Sequence, residues 1–159
     1  MNLDHANFDG ACGPPNPGGV GGWGYLIRSR EGAVLSSGCG RLAPRPAMTN
    51  NVAEYAAAGA AIAGYRALQR PGPLLVLGDS QLVIMQMSGQ WRIKAGAYVH
   101  VAHRLRALLA ECAFAVEWRW IPRAQNAEAD ALAREGQERA PSPVGDVAAQ
   151  LQGDGERPR

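Results

Sequence analysis

The run Leu74-Leu75-Val76-Leu77 constrains this chain more than any other feature. It is short, continuously apolar and followed at once by Gly78-Asp79-Ser80. A strand wholly of large aliphatic residues has no face to give to water, so it belongs inside a sheet covered on both sides. It follows an Ala-rich stretch, residues 51–69, in which only single glycines interrupt strong helix formers and which Arg70-Pro71-Gly72-Pro73 ends. Gly59, Ala60, Ala63 and Gly64 are small enough to let that helix lie close to a sheet.

The chain before the helix reads as a three-stranded meander. In residues 3–12, Asn7, Asp9 and Ala11 alternate with Phe8, Gly10 and Cys12. Gly13-Pro14-Pro15-Asn16-Pro17-Gly18-Gly19 forces a loop, Trp23, Tyr25 and Ile27 alternate through a second strand, and residues 33–40 make a third after the turn at Arg30-Glu31-Gly32. Beyond the apolar run, a helix is expected over residues 80–87 and another over 95–112, with Val99, Ala102, Leu105, Leu108 and Leu109 as its stripe. Phe114, Val116, Trp118 and Trp120 alternate through a fifth strand, and a last helix starts near Asn126. The order β-β-β-α-β-α-α-β-α predicts an α/β domain, a five-stranded mixed sheet with helices on both faces. The domain is expected over residues 1–138. A disordered tail is expected over 139–159, where Pro and Gly recur with few large apolar residues.

Bulk properties exclude little. A length of 159 residues allows one real core. No apolar run suits a bilayer span, and the first ten residues lack the layout of a signal peptide, so an intracellular, cytoplasmic protein is expected. A net charge of +2 neither demands nor excludes nucleic acid. Lys94 is the one lysine among the basic side chains; arginine suits phosphate, and a coding bias gives the same picture. Cys12, Cys39 and Cys112 form no zinc-type or disulfide pattern and read as small core residues. His5, His100 and His103 read as ordinary surface or core histidines.

Four carboxylates sit in unfavourable or exceptional places. Asp9 is inside a strand, Glu54 in the first turns of the Ala-rich helix, Asp79 at the carboxyl end of the buried strand, and Asp130 in the first turns of the last helix. Singly, Asp79 reads equally as a cap, and Glu54 and Asp130 as partners of a helix dipole. Together they point to a site.

Five segments carry a resemblance: Phe8-Asp9-Gly10-Ala11, Asn16-Pro17-Gly18, Thr49-Asn50-Asn51-Val52-Ala53-Glu54-Tyr55, Gly78-Asp79-Ser80-Gln81-Leu82-Val83 and Asn126-Ala127-Glu128-Ala129-Asp130-Ala131-Leu132-Ala133. In this order the chain resembles type 1 ribonuclease H in the compact form without a basic protrusion, over residues 3–136. The resemblance implies a ribonuclease H-like fold and hydrolysis of the RNA strand of RNA/DNA hybrids, leaving 5′-phosphate and 3′-hydroxyl ends. It implies that Asp9, Glu54, Asp79 and Asp130 are catalytic and hold two ions, with Asp9 between them. Oxygen-only ligands select hard ions, so Mg²⁺ is expected and Mn²⁺ substitutes; such a pair clamps the scissile phosphate about 4 Å apart.

Substrate contacts follow by the same resemblance. Asn16, Asn50 and Gln81 would approach the minor groove, the main chain of Gly10, Ala11 and Cys12 the ribose 2′-hydroxyls, and Thr49 a DNA phosphate. Thr49, Asn50 and Asn51 read also as a helix cap. Trp91, beside Arg92 and Lys94, reads either as a contact to the DNA backbone or as a cover for the sheet edge; Trp23, Trp118 and Trp120 read as core. Many relatives carry a histidine in the loop before the last helix; here residues 121–126 hold none, and Arg123 is the nearby cation. A monomer is expected. The competing functions are a non-catalytic nucleic-acid-binding module, an exonuclease- or integrase-type reaction on the same fold, and a cation-binding structural domain.

Overall fold

The computed structural model describes residues 1–141. The tail expected from residue 139 therefore lies, from 142 onward, outside the described residues. Strands β1 (Asp4–Cys12), β2 (Gly21–Arg28) and β3 (Val34–Leu42) precede helix α1 (Asn50–Ala67), strand β4 (Leu74–Gly78) and helices α2 (Gln81–Met87) and α3 (Val99–Glu111). Strand β5 (Val116–Trp120), a single 3₁₀ turn (Arg123–Gln125) and helix α4 (Ala127–Glu138) complete the described chain. The sheet runs β3-β2-β1-β4-β5, antiparallel through the meander and parallel from β1 to β4 to β5.

Every residue of β4 is buried, as its aliphatic run requires. Helix α1 packs on β1 and β2 and carries α2 and α3 on its side, while α4 packs on β1, β2 and β3 from the other. Glycine allows both approaches. A β-carbon on Gly10 would lie 2.3 Å from the backbone of Ala53 and Glu54, and one on Gly24 would lie 2.5 Å from Leu132 Cβ. The core holds Phe8, Ile27, Tyr55, Ile62, Tyr65, Leu74, Val76 and Leu105, all fully buried.

The expected element order holds, and the differences lie at ends. Helix α3 begins at Val99, the first residue of its apolar stripe and four residues after the expected start at 95; Gly96 before it takes a φ of +159°. The third strand runs on to Leu42, paired with Gly21. Two core assignments need correction. Trp120 is 43% exposed at the end of an edge strand, and the three cysteines are half-buried rather than core. Burial still pushes all three thiols up. No helix among the described residues is long and apolar enough to cross a membrane.

Candidate active site

The parallel pairing of β1 with β4 creates the site. Its last matched residues are Asn7 and Leu77, so Asp9 and Asp79, each two positions on, emerge side by side. Helix α1, held against Gly10, brings Glu54 to the same place. One carboxylate oxygen from each of Asp9, Glu54 and Asp79 lies within 4.8 Å of the others. Asp130, in the first turn of α4, lines the same cleft of about 770 Å³ but stands outside that trio. Its carboxylate pairs with Arg134 at 3.3 Å, one helical turn along.

Close acids in poor contact with water resist ionisation. Asp9, 5% exposed, is pushed up to about 6, first by burial and then by the charges of Asp79 and Asp130; a hydrogen bond with Glu54 works the other way. Burial and then the charge of Asp9 hold Glu54 well above the usual carboxylate range. Burial also raises Asp79, against the charge of Arg123. Glu54 Oε2 is buried with no hydrogen-bond partner. An acid with a buried, unpartnered oxygen, grouped with two further carboxylates, fits a hard divalent cation, which takes oxygen ligands and removes the repulsion.

Neighbouring contacts fix these side chains. Gly10 N–H donates to Asp9 Oδ1 at 3.0 Å. Asn126, 1% exposed, donates from Nδ2 to the Phe8 carbonyl at 2.9 Å and accepts at Oδ1 from Asn7 Nδ2 at 3.2 Å, tying the start of α4 to β1. Trp120 Nε1 donates to the Asp79 carbonyl at 3.1 Å. Gln137 Nε2 donates to the carbonyls of Gly13 and Val20, both at 3.1 Å, closing the base of the 13–20 loop.

Of the residues singled out for substrate, Gly10, Ala11, Cys12, Asn50 and Gln81 line the cleft. Asn16 is not part of the cleft wall; its Oδ1 accepts at 3.4 Å from the N–H of Asn50, which is. Thr49 caps α1, its hydroxyl accepting from Val52 N–H at 3.2 Å, as the cap reading has it. Trp91 is 44% exposed and not part of the cleft wall. The cleft also takes in Ser80, Leu82, Trp120, Arg123, Arg134 and Gln137. Spacing alone offers Arg134, four residues after Asp130; nothing in the sequence marks Trp120 or Gln137 as cleft residues.

The sheet order and the acidic cleft define a reverse transcriptase-like α/β domain, and the family model of that description matches residues 7–136. A ribonuclease H of Verminephrobacter eiseniae is 34% identical over 158 residues, covering 88% of this chain and 94% of its own. The crystal structure of RNase H1 from Halobacterium salinarum superposes with a TM-score of 0.75 at 32% identity, over 86% of this chain and 98% of that one. LC11-RNase H1, crystallised in complex with an RNA/DNA hybrid, gives 0.76 at 26% identity, over 85% and 96%. The chain belongs to the ribonuclease H family. It spans 34% of the length of mycobacterial relatives 32% identical to it, among them a bifunctional protein of Mycobacterium tuberculosis.

Proposed function

We propose that this chain is an endoribonuclease that hydrolyses the RNA strand of RNA/DNA hybrids. The observation that carries this reading is the convergence of Asp9, Glu54 and Asp79, with Glu54 keeping a buried oxygen without a partner. A pure binding module gains nothing from clustered anions facing phosphate, and a cation-binding structural domain has no use for Asn50 and Gln81 beside them.

Asp9, Glu54, Asp79 and Asp130 would hold two Mg²⁺ ions, with Mn²⁺ as substitute. Bound there, such ions supply Lewis-acid activation of water and stabilisation of the leaving 3′ oxygen, giving 5′-phosphate and 3′-hydroxyl products. The chain's own residues do the rest. Asp9, anchored by Gly10 N–H, holds the centre; Glu54 and Asp79 flank it; Asp130 completes the set from α4.

Main chain at Gly10, Ala11 and Cys12 meets ribose 2′-hydroxyls, and Asn16, Asn50 and Gln81 meet the minor groove. The Thr49 hydroxyl accepts from Val52 N–H as the cap of α1 and keeps its own O–H to donate to a DNA phosphate beside that helix terminus. Trp91 contacts the DNA backbone. Arg123, in the cleft wall, supplies the cation where relatives carry histidine. On the same reading the ribonuclease H domain spans residues 1–138, and the protein is a cytoplasmic monomer.

The test is end analysis of the products. Purified protein with Mg²⁺ should cut the RNA of a labelled hybrid to fragments bearing 5′-phosphate and 3′-hydroxyl, and chelator should stop it. Cyclic-phosphate ends, or cutting in excess chelator, would overturn the metal-assisted route.

A further inference from the structure

Trp120 is large, aromatic and 43% exposed, yet it stands in the wall of the carboxylate cleft rather than on open surface. Trp118, two residues earlier on the same face, packs against the core, so the fold has apolar cover available and does not extend it to Trp120. Its one polar atom is engaged with the Asp79 carbonyl. The ring is thereby fixed in orientation, with its apolar surface left to the cleft. Leu82 of α2, a helix that packs against β5, lines the same cleft, and Arg123 brings a positive charge to it. An apolar platform beside a cation is what one nucleotide unit presents in reverse: an apolar sugar or base face next to a phosphate.

We propose that Trp120 is a substrate-binding residue whose ring packs against the sugar or base of a nucleotide flanking the cleaved phosphate, with Arg123 taking the neighbouring phosphate. This rests on the proposed function above. The ring holds the strand in register over Asp79, and its indole N–H serves only to aim it.

The test compares the full-length wild type with Trp120→Ala and Trp120→Phe. Steady-state cleavage of an RNA/DNA hybrid with Mg²⁺ gives kcat and KM, and anisotropy of the intact hybrid in EDTA gives Kd. Trp120→Ala should raise KM and Kd together by roughly 5- to 100-fold, with kcat changed far less. Trp120→Phe keeps a ring and should stay near wild type in both. Unchanged KM and Kd in Trp120→Ala overturn the proposal. So does an equal loss in Trp120→Phe, which would assign the effect to the hydrogen bond on Asp79. Should Trp120→Ala fail to fold, hybrid-induced quenching of tryptophan emission decides: it should diminish in Trp120→Phe, and undiminished quenching overturns the proposal. Absence of cleavage by the wild type strikes the proposed function instead, because the binding measurement in EDTA still reads Trp120.

Discussion

Asn126 and Phe8 are far apart in the chain and joined by one hydrogen bond of 2.9 Å, from a fully buried amide to a strand carbonyl. Phe8 precedes Asp9, and Asn126 precedes the helix that carries Asp130. The bond therefore sets the spacing between the acid on the sheet and the acid on α4. Asn126→Ala should cost about 1–3 kcal/mol, measured by urea unfolding. It should also lower kcat by roughly 10- to 100-fold under conditions where the variant is fully folded, because small misplacements of reacting groups are expensive. A stability loss with unchanged kcat would show that Asp130 is placed by something else.

Asp9 opposes stability in the absence of metal. Unfolded, its carboxyl ionises near 3.8; folded, burial pushes it up to about 6. Between those values unfolding releases a proton, so the metal-free protein loses stability as the pH rises through this window and does not regain it above. Asp9→Asn removes the penalty. At pH 7 in EDTA it should be more stable than wild type by roughly 2–3 kcal/mol, while cleaving no hybrid. Mg²⁺ should stabilise the wild type and do so less for the variant. Thermal melts with and without EDTA check this, and a less stable Asp9→Asn would contradict it.

Gly10 is set by packing as well as by chemistry. A β-carbon there would meet the backbone of α1 at 2.3 Å, a clash that no side-chain rotation relieves. Gly10→Ala should therefore cost about 3 kcal/mol or more and displace Glu54 from Asp9. Denaturant melts and Mg²⁺ titration read the two effects separately.

At the other end of β1, Asp4 accepts from Tyr65 at 2.7 Å and from Arg70 at 2.7 Å, and these contacts with the Arg30 N–H hold its carboxyl down to about 2. This shift has the opposite sign. The stability it gives is present above 3.8 and is lost as the pH falls through about 2. Tyr65→Phe should cost roughly 1.5–3 kcal/mol at neutral pH and progressively less in strong acid, with kcat unaffected. Unfolding curves across that pH range provide the check.

Much of this was visible in the chain. The aliphatic run of β4 announced a covered parallel strand, and the placing of Asp9 and Asp79 announced a site at its end. What escaped has physical causes. Alternation tells which face Trp120 shares with Trp118, but not that cover stops between them at an edge strand. Gly10 was read for its reach toward substrate, whereas its close approach to α1 arises only when the helix docks. Asn126 has no periodic signature, since one buried amide bridging a strand and a helix follows from tertiary geometry alone. The start of α3 was legible only from its stripe, which begins at Val99; residues 95–98 carry no apolar signal that separates helix from turn.

The most direct measurement offers wild-type protein and Asp9→Asn three labelled substrates: an RNA/DNA hybrid, matched duplex DNA and matched duplex RNA, each with Mg²⁺ and with EDTA. The expected result is cutting of the hybrid's RNA strand by the wild type with Mg²⁺, no cutting of duplex DNA, and none of the hybrid by the folded variant. Metal-independent cutting, or retained activity in Asp9→Asn, would contradict a reaction built on these carboxylates.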